Sequence, residues 1–298
     1  MTKNIHKAKP FVKWVGGKKQ LLATFENLLP ADFAQLENLT YIEPFVGGGA
    51  MLFYMLRTYP NIRRAVINDI NPDLVKAYRT VKVQPDTLIT RLTHLQKEYL
   101  GIPEEENRKE FYLTIRDKFN EGNLSNIDNT AYFIFLNQTC FNGLYRVNSK
   151  GKFNVPFGKY VNPTICNKMT IRIDSELLQK VTILNGDFEQ TEPYVKGNAF
   201  VYFDPPYRPL SVTSSFKSYA KEDFNDDEQR RLKAYFDRLS PRCKMMLSNS
   251  DGSGTNPENR FFDELYDGYA IERVYTSRVI NANPDKRGKL TELLIRNF

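Results

Sequence analysis

The chain has 298 residues, 41% hydrophobic and 26% charged, a composition able to bury a substantial core in one large or two moderate domains and unlike that of a disordered protein. A net charge of +7 and an isoelectric point of about 9.1 favour a polyanionic partner. No apolar run approaches the roughly 20 residues of a membrane span, and no apolar signal segment follows the basic start "MTKNIHKAKPF". The three cysteines, Cys140, Cys166 and Cys243, are odd in number and far apart, which argues against a disulfide framework and predicts a reducing cytoplasm. With only His6 and His94, and no Cys/His cluster of zinc spacing, no metal site is expected, and a Ser-His-Asp triad has few histidines to draw on.

In chain order, the first feature is "FVKWVGGKKQLL", residues 11–22, which holds the sole tryptophan, Trp14, two glycines and Lys18. It suits contact with a carboxylate or phosphate beside a flat ring; a core tryptophan next to a solvated lysine run is the plainer reading. "TYIEPFVGGGAMLFYML" reads as strand, glycine turn and helix, and "RRAVINDINPDLVKAY" as strand, tight turn and helix, with Pro72 near the helix start. Strands alternating with helices predict an α/β fold with a parallel sheet. The pattern is then interrupted. Residues 84–141 are expected to be largely helical: Phe111, Ile115 and Phe119 recur every fourth residue, and Leu88, Leu92 and Leu95 share a face. Period alone does not separate helix from strand in "AYFIFLNQTCF".

In "LYRVNSKGKFNVPFGKY", Phe153, Val155 and Phe157 alternate around the turn residues Ser149-Lys150-Gly151, which predicts a β-hairpin over 144–160. The α/β pattern resumes with a helix at "DSELLQKV", strand and turn at "VTILNGD", and a strand at "AFVYFDPPY". A helix follows on Leu232, Tyr235, Phe236 and Leu239, with Asn225 and Glu228 spaced as a cap and its reciprocal partner. "CKMMLSN", "YAIERVY" and "LTELLIRNF" are expected to be the last strands. The expectation is an α/β domain of residues 1–71 and 169–298, split by an insertion of residues 72–168, with no internal repeat.

Positive charge is concentrated in two places. Lys3, Lys7, Lys9, Lys13, Lys18 and Lys19 precede the first acid, Glu26, and Arg146, Lys150, Lys152 and Lys159 occupy 144–160 without any acid.

Three strand ends carry candidate chemistry. Gly47, Gly48 and Gly49 let a ligand approach backbone at a helix N-terminus, although the spacing is not the dinucleotide fingerprint and a plain tight turn would also explain it. Asp69, ending the next strand, can accept both hydroxyls of a ribose or simply cap a turn. Glycine loop and Asp69 together point to an adenosine-type cofactor. Asp204 begins "DPPY" at the carboxyl end of a strand, where open α/β sheets place ligands. Proline has no N–H, so this turn offers a carboxylate and carbonyls, all acceptors, with the Tyr207 ring beside them. Such a site suits a planar group with an exocyclic amine, adenine or cytosine. Acceptors on its N–H bonds draw the nitrogen towards tetrahedral geometry and free its lone pair for attack. A Pro-Pro turn with a capping aspartate is the bland alternative.

"KWVGGK", "EPFVGGGA", "NDIN", "FNGLYRVNSKGKFNVPFGKY" and "YFDPPY" occur in this order. With that set, the chain resembles the DNA adenine-N6 methyltransferases of the Dam class, the D12 class of N6-adenine-specific enzymes, over roughly residues 10–298. The resemblance implies a Rossmann-like sheet with one antiparallel strand near its end, S-adenosylmethionine as donor, and an inserted target-recognition domain. It implies cofactor contacts from Trp14, Lys18, Phe45, Gly47, Gly48, Gly49, Asp69 and Asp204, with Asp187 and Phe188 beside the adenine. Asp204 and the Pro205 carbonyl, stiffened by Pro206, would accept the N6 hydrogens, and Tyr207 would stack on the target base. The methyl group would pass directly to N6 of an adenine flipped out of duplex DNA, with no covalent intermediate and no metal.

By the same resemblance, Phe141 and Asn142 would help fill the gap left by the flipped base. Arg146 would fork onto a guanine, Leu144 and Pro156 would touch a thymine methyl, and Lys13 would contact the flank of the site. Asn148, Lys150, Lys152, Lys159 and Tyr160 complete the expected DNA face. Many relatives read "FGRY" where this chain reads "FGKY". Lys159 cannot make a forked contact, which bears on the expected GATC site if that position reads bases. Double-stranded DNA, and a restriction endonuclease acting on the same site, are the implied partners. Cytosine-N4 methylation, methylation of RNA and a non-catalytic DNA-binding protein of the same fold are the competing readings.

Overall fold

The computed structural model describes residues 7–14, 16, 22–208, 224–254, 258–277 and 289–298. Its strands are β1 (Leu39–Glu43), β2 (Ile62–Asp69), β3 (Val181–Asn185), β4 (Ala199–Phe203), β5 (Lys244–Ser250), β6 (Ala270–Ser277) and β7 (Lys289–Arg296). They form one seven-stranded sheet in the order β3-β2-β1-β4-β5-β7-β6. The pairs within β1–β5 are parallel, and β7 runs antiparallel to both β5 and β6. This is the expected Rossmann-like arrangement.

Side chains alternate across the sheet, as strand geometry requires. On β4, Phe200 and Tyr202 enter one core while Ala199, Val201 and Phe203 enter the other. All five are buried, which explains why this central strand reads as an unbroken apolar run. The first face is covered by α2 (Ala50–Thr58), α3 (Pro72–Val83) and α7 (Lys168–Leu178), the second by α8 (Asp226–Leu239) and the short α9 (Phe261–Leu265).

Helix starts follow their caps. Asn71 accepts from the backbone N–H groups of Asp73 and Leu74, ahead of Pro72 at the first turn of α3. Asn225 likewise accepts from Asp227 and Glu228 at the start of α8. The expected reciprocal bond from Glu228 is replaced: its carboxylate accepts from Arg231 at 2.8 Å.

Between α3 and α7 lie α4 (Pro85–Gly101), α5 (Glu105–Glu121) and α6 (Asn126–Thr139). "AYFIFLNQT" is helical. It has no polar face because α3, α4 and α5 pack around α6. α3 also packs on β2 and β3, so one continuous core runs from the sheet into these helices.

The expected hairpin over 144–160 is reduced to its tip. Val147 and Phe153 form one antiparallel bridge. Asn148 Oδ1 accepts from the backbone of Lys150 and Lys152 and shapes the turn. Beyond the tip the second arm leaves the first. Pro156 has no N–H for a ladder, its carbonyl accepts from Phe141 N at 2.8 Å, and Gly158 N donates to Thr139 O at 2.9 Å. Of the alternating residues, Phe153 and Val155 are buried and Phe157 is half-buried, with Pro156 exposed between the last two.

Candidate active site and nucleic-acid face

Three strand ends meet at the carboxyl edge of the sheet. β1 ends on Glu43, β2 on Asp69, and Asp204 follows β4. Parallel strands of similar register bring these residues to one edge, with Ile42 opposite both Val66 and Val201.

The glycine loop joins β1 to α2. Gly47 and Gly49 have φ of 48° and 77°, a left-handed conformation that favours glycine. Close packing adds a second demand. A Cβ on Gly47 or Gly48 would come within 2.9 or 2.7 Å of the Trp14 side chain, and one on Gly49 would strike the Tyr78 hydroxyl. The Tyr78 hydroxyl donates to Gly47 O at 2.9 Å. Asp69 fixes the same loop, Oδ2 accepting from Gly47 N at 3.0 Å and Oδ1 from Asn71 N at 2.9 Å. Each oxygen retains a lone pair, so the carboxylate can hold the loop and still accept a hydroxyl. Burial pushes its acidity down, against the pull of those N–H groups. Asn68, buried beside it, donates to Pro44 O and Gly186 O and so joins the β1 and β3 loops.

Glu43 was not singled out from the sequence. It is 2% exposed and accepts from the Tyr41 hydroxyl at 3.0 Å. Burial raises its pKa well above the usual carboxylate range, and the charges of Asp204 and Asp69 push the same way. Its signal was present in "YIEPF", where an apolar strand ends on an acid just as at Asp69 and Asp204.

At the end of β4, Pro205 is buried, Pro206 exposed, and Asp204 and Tyr207 half-buried. The turn is tied from behind by groups the sequence reading missed. Fully buried Gln229 of α8 donates to Pro206 O at 3.1 Å and accepts from Asn249 at 3.1 Å. Asn249 in turn accepts from Arg208 N. Arg208 forks onto Asp226 at 2.6 and 2.9 Å. The Tyr207 hydroxyl donates to Glu292 at 2.7 Å.

One flank of the edge is aromatic. Phe45 lies 5.3 Å from Phe188 and 5.6 Å from Phe224, centroid to centroid. Asp187 caps the 3-10 turn Phe188–Tyr194 through Glu189 N and pairs with Arg231, whose guanidinium lies 4.3 Å over the Phe188 ring. Asp187 is thus engaged within the protein, and the structure gives it a scaffolding role beside the expected one. Among the described residues, the strand-end carboxylates and this aromatic wall fit a cationic nucleoside such as S-adenosylmethionine. Lys18 lies outside the described residues.

The remaining expected residues converge around Lys13 and Trp14. Trp14 stacks on Tyr145 at 5.7 Å and 25° while lining the glycine loop. Buried Asn137 pairs with the Lys13 backbone in both directions at 2.8 Å and donates to Gly143 O at 2.9 Å. The Lys13 ammonium lies 4.6 Å over the Tyr160 ring. Phe141 is 53% exposed, a large ring without cover, followed by Asn142 in the left-handed region at φ 54°. Arg146 donates to Asn154 Oδ1 at 2.8 Å and to Asn154 O at 3.1 Å. Leu144 is half-buried, and Lys150 and Lys152 are exposed at the tip shaped by Asn148. Lys159, also left-handed, pairs with Glu105 of α5 at 2.7 Å.

The sheet order, with its single antiparallel strand, is that of the Rossmann-like methyltransferase fold. Sequence comparison narrows the class: the profile of the D12 class N6 adenine-specific DNA methyltransferases matches residues 14–280, and the chain belongs to this family. It is 49% identical over 294 residues to the Type II methyltransferase M.MjaIII of Methanocaldococcus jannaschii, covering 97% of this chain and 99% of the relative. It is 38% identical over 304 residues to the Type II methyltransferase M1.LlaDCHI of Lactococcus lactis, covering 100% and 98%. It is 34% identical over 290 residues to a DNA adenine methylase of Vibrio cholerae, covering 97% and 95%. Adenine-N6 methylation of DNA is the activity of the family, and S-adenosylmethionine is its general methyl donor. The family answers the cytosine alternative. No described helix is long and apolar enough to cross a membrane.

Proposed function

We propose that this chain methylates N6 of adenine within duplex GATC, using S-adenosylmethionine, base flipping and direct transfer. The observation that carries the proposal is the convergence of Glu43, Asp69 and Asp204 on one sheet edge, beside aromatic rings and Tyr207. Asp69 holds the ribose hydroxyls, the Gly47–Gly49 loop and Trp14 border the methionine part, and Phe45 and Phe188 border the adenine. When bound, the cofactor supplies an electrophilic methyl group on a sulfonium. The negative edge favours that positive charge and the charge that develops on N6 during attack. Asp204 and the Pro205 carbonyl accept the two N6 hydrogens. Gln229 holds the Pro206 carbonyl from behind and so fixes the turn that presents Asp204 and the Pro205 carbonyl. Tyr207 stacks on the flipped ring.

Within the expected insertion of residues 72–168, α3 covers the sheet, and the segment from α4 to the start of α7 forms the recognition part. Phe141 and Asn142 fill the vacated space, Arg146 reads guanine, Leu144 and Pro156 meet a thymine methyl, and Lys13 and Tyr160 border the site. Lys150 and Lys152 meet phosphates. Lys159 pairs with Glu105 on the helical side, which supports a role for it outside base reading. The Type II names of two relatives support a partner endonuclease cutting the same sequence.

Asp204→Ala tests the chemistry. Methyl transfer is expected to fall to background while affinity for duplex DNA stays within about threefold, since trimming a carboxylate at the sheet edge removes no phosphate contact. Near-normal turnover would refute the role.

A further inference from the structure

β7 is antiparallel to its neighbours, so its first residues reach the carboxyl edge where β1, β2 and β4 end. Ser250, the last residue of β5, stands in register with Glu292, the only acid within β7. From that position Glu292 Oε2 accepts the hydrogen bond of the Tyr207 hydroxyl at 2.7 Å. Burial, with the charges of Asp204 and Glu292 nearby, raises the Tyr207 pKa well above its ordinary value, so the hydroxyl stays protonated as a donor.

A tyrosine ring has two side-chain torsions. A fixed acceptor at its far end limits the swing of the ring. Because a phenolic O–H prefers the ring plane, the same acceptor also limits rotation about the ring axis. The backbone on the other side is held by Pro205 and Pro206 and by the Gln229 bond to Pro206 O.

We infer that Glu292 is a positioning residue for methyl transfer: it sets the plane of the Tyr207 ring against which the target adenine stacks. The inference rests on the reading of Tyr207 as the stacking face. Glu292 itself need not touch the base. It acts through Tyr207, and a misplaced stacking face moves N6 off the line of attack.

The test is single-turnover methyl transfer at saturating duplex DNA and S-adenosylmethionine. Glu292→Leu and Tyr207→Phe are each expected to lower this rate constant by roughly tenfold, while the KM for the cofactor, read separately from steady-state turnover, changes little. Glu292→Gln keeps an oxygen acceptor and is expected to stay within about twofold of wild type. The double variant Tyr207→Phe/Glu292→Leu is expected to fall no further than the slower of the two single variants, because the Tyr207–Glu292 bond is lost in both. A wild-type rate for Tyr207→Phe would overturn the inference, as would a double-variant loss equal to the product of the two single losses. Tyr207→Phe deletes one oxygen and decides the matter even if Glu292→Leu fails to fold. Tyr207→Ala separates the two levels. Full activity there overturns the stacking reading itself, whereas an inactive Tyr207→Ala beside a fully active Tyr207→Phe overturns only the role of Glu292.

Discussion

Arg146 spends one edge of its guanidinium inside the protein. Nε and Nη2 bond Asn154, which leaves the Nη1 side of the fork for a partner. A pre-oriented fork matches guanine O6 and N7, and Arg146→Ala is expected to cost about 1–3 kcal/mol at one base pair and to relax discrimination there. Asn154→Ala is expected to relax the same base pair less strongly, because charge and reach remain. Affinities on a panel of single-substituted duplexes check both, and a uniform loss on every duplex would mark Arg146 as a phosphate contact. The sequence made Arg146 visible through charge, as it did Asp69 and Asp204 through their place at strand ends. Asn154 and Gln229 were not visible. Each acts by a hydrogen bond to a residue distant in the sequence or across a turn, and nothing in local composition marks that. Asn137 and Glu292 left a faint signal as polar residues that border apolar runs.

At the scale of elements, the segment of Lys13 and Trp14 is held between the glycine loop and the recognition loop. Asn137 makes three hydrogen bonds there from a buried position. Asn137→Ala would leave the buried Gly143 carbonyl and the part-buried backbone groups of Lys13 without their partner and is expected to cost roughly 2 kcal/mol, read as a lower urea midpoint with unchanged slope. A midpoint equal to wild type would show that water replaces the amide. Strand and helix identities were legible wherever periodicity and caps agreed, as at Asn71-Pro72 and Asn225. They were not legible in α6, where burial on all sides erases the period, nor in the arms of 144–160. There Pro156 and Gly158 turn the second arm onto the end of α6, a tertiary choice that alternation cannot reveal.

Across the whole molecule, positive residues lie on the segments around Lys13 and 144–160 while the carboxylates lie at the sheet edge, one zone suited to a polyanion and the other to a cation. The parallel order of the first strands followed from the alternation of strand and helix. The place of β7 between β5 and β6 did not, because register and direction are set by the cores on both faces. A second carboxylate lies far from solvent: Asp174 of α7 is fully buried, the backbone N–H of Lys9 is its one weak polar neighbour among the described residues, and burial pushes its pKa up to about 8 from 3.8 against the smaller pull of that N–H and of the Lys9 charge. The unfolded chain therefore loses this proton first, and stability should fall as pH rises from about 4 to about 8 and then level off. Asp174→Asn is expected to melt higher than wild type at pH 8, with the gap narrowing towards pH 4; a gap independent of pH would contradict the burial argument. The account as a whole turns on which atom of which base is modified. Duplex DNA of mixed sequence, incubated with the protein and S-adenosylmethionine and then read by sequence-resolved methylation mapping, is expected to carry N6-methyladenine at GATC. Modified adenines mostly outside GATC would contradict the assigned site, and DNA left unmodified would contradict the account at its centre.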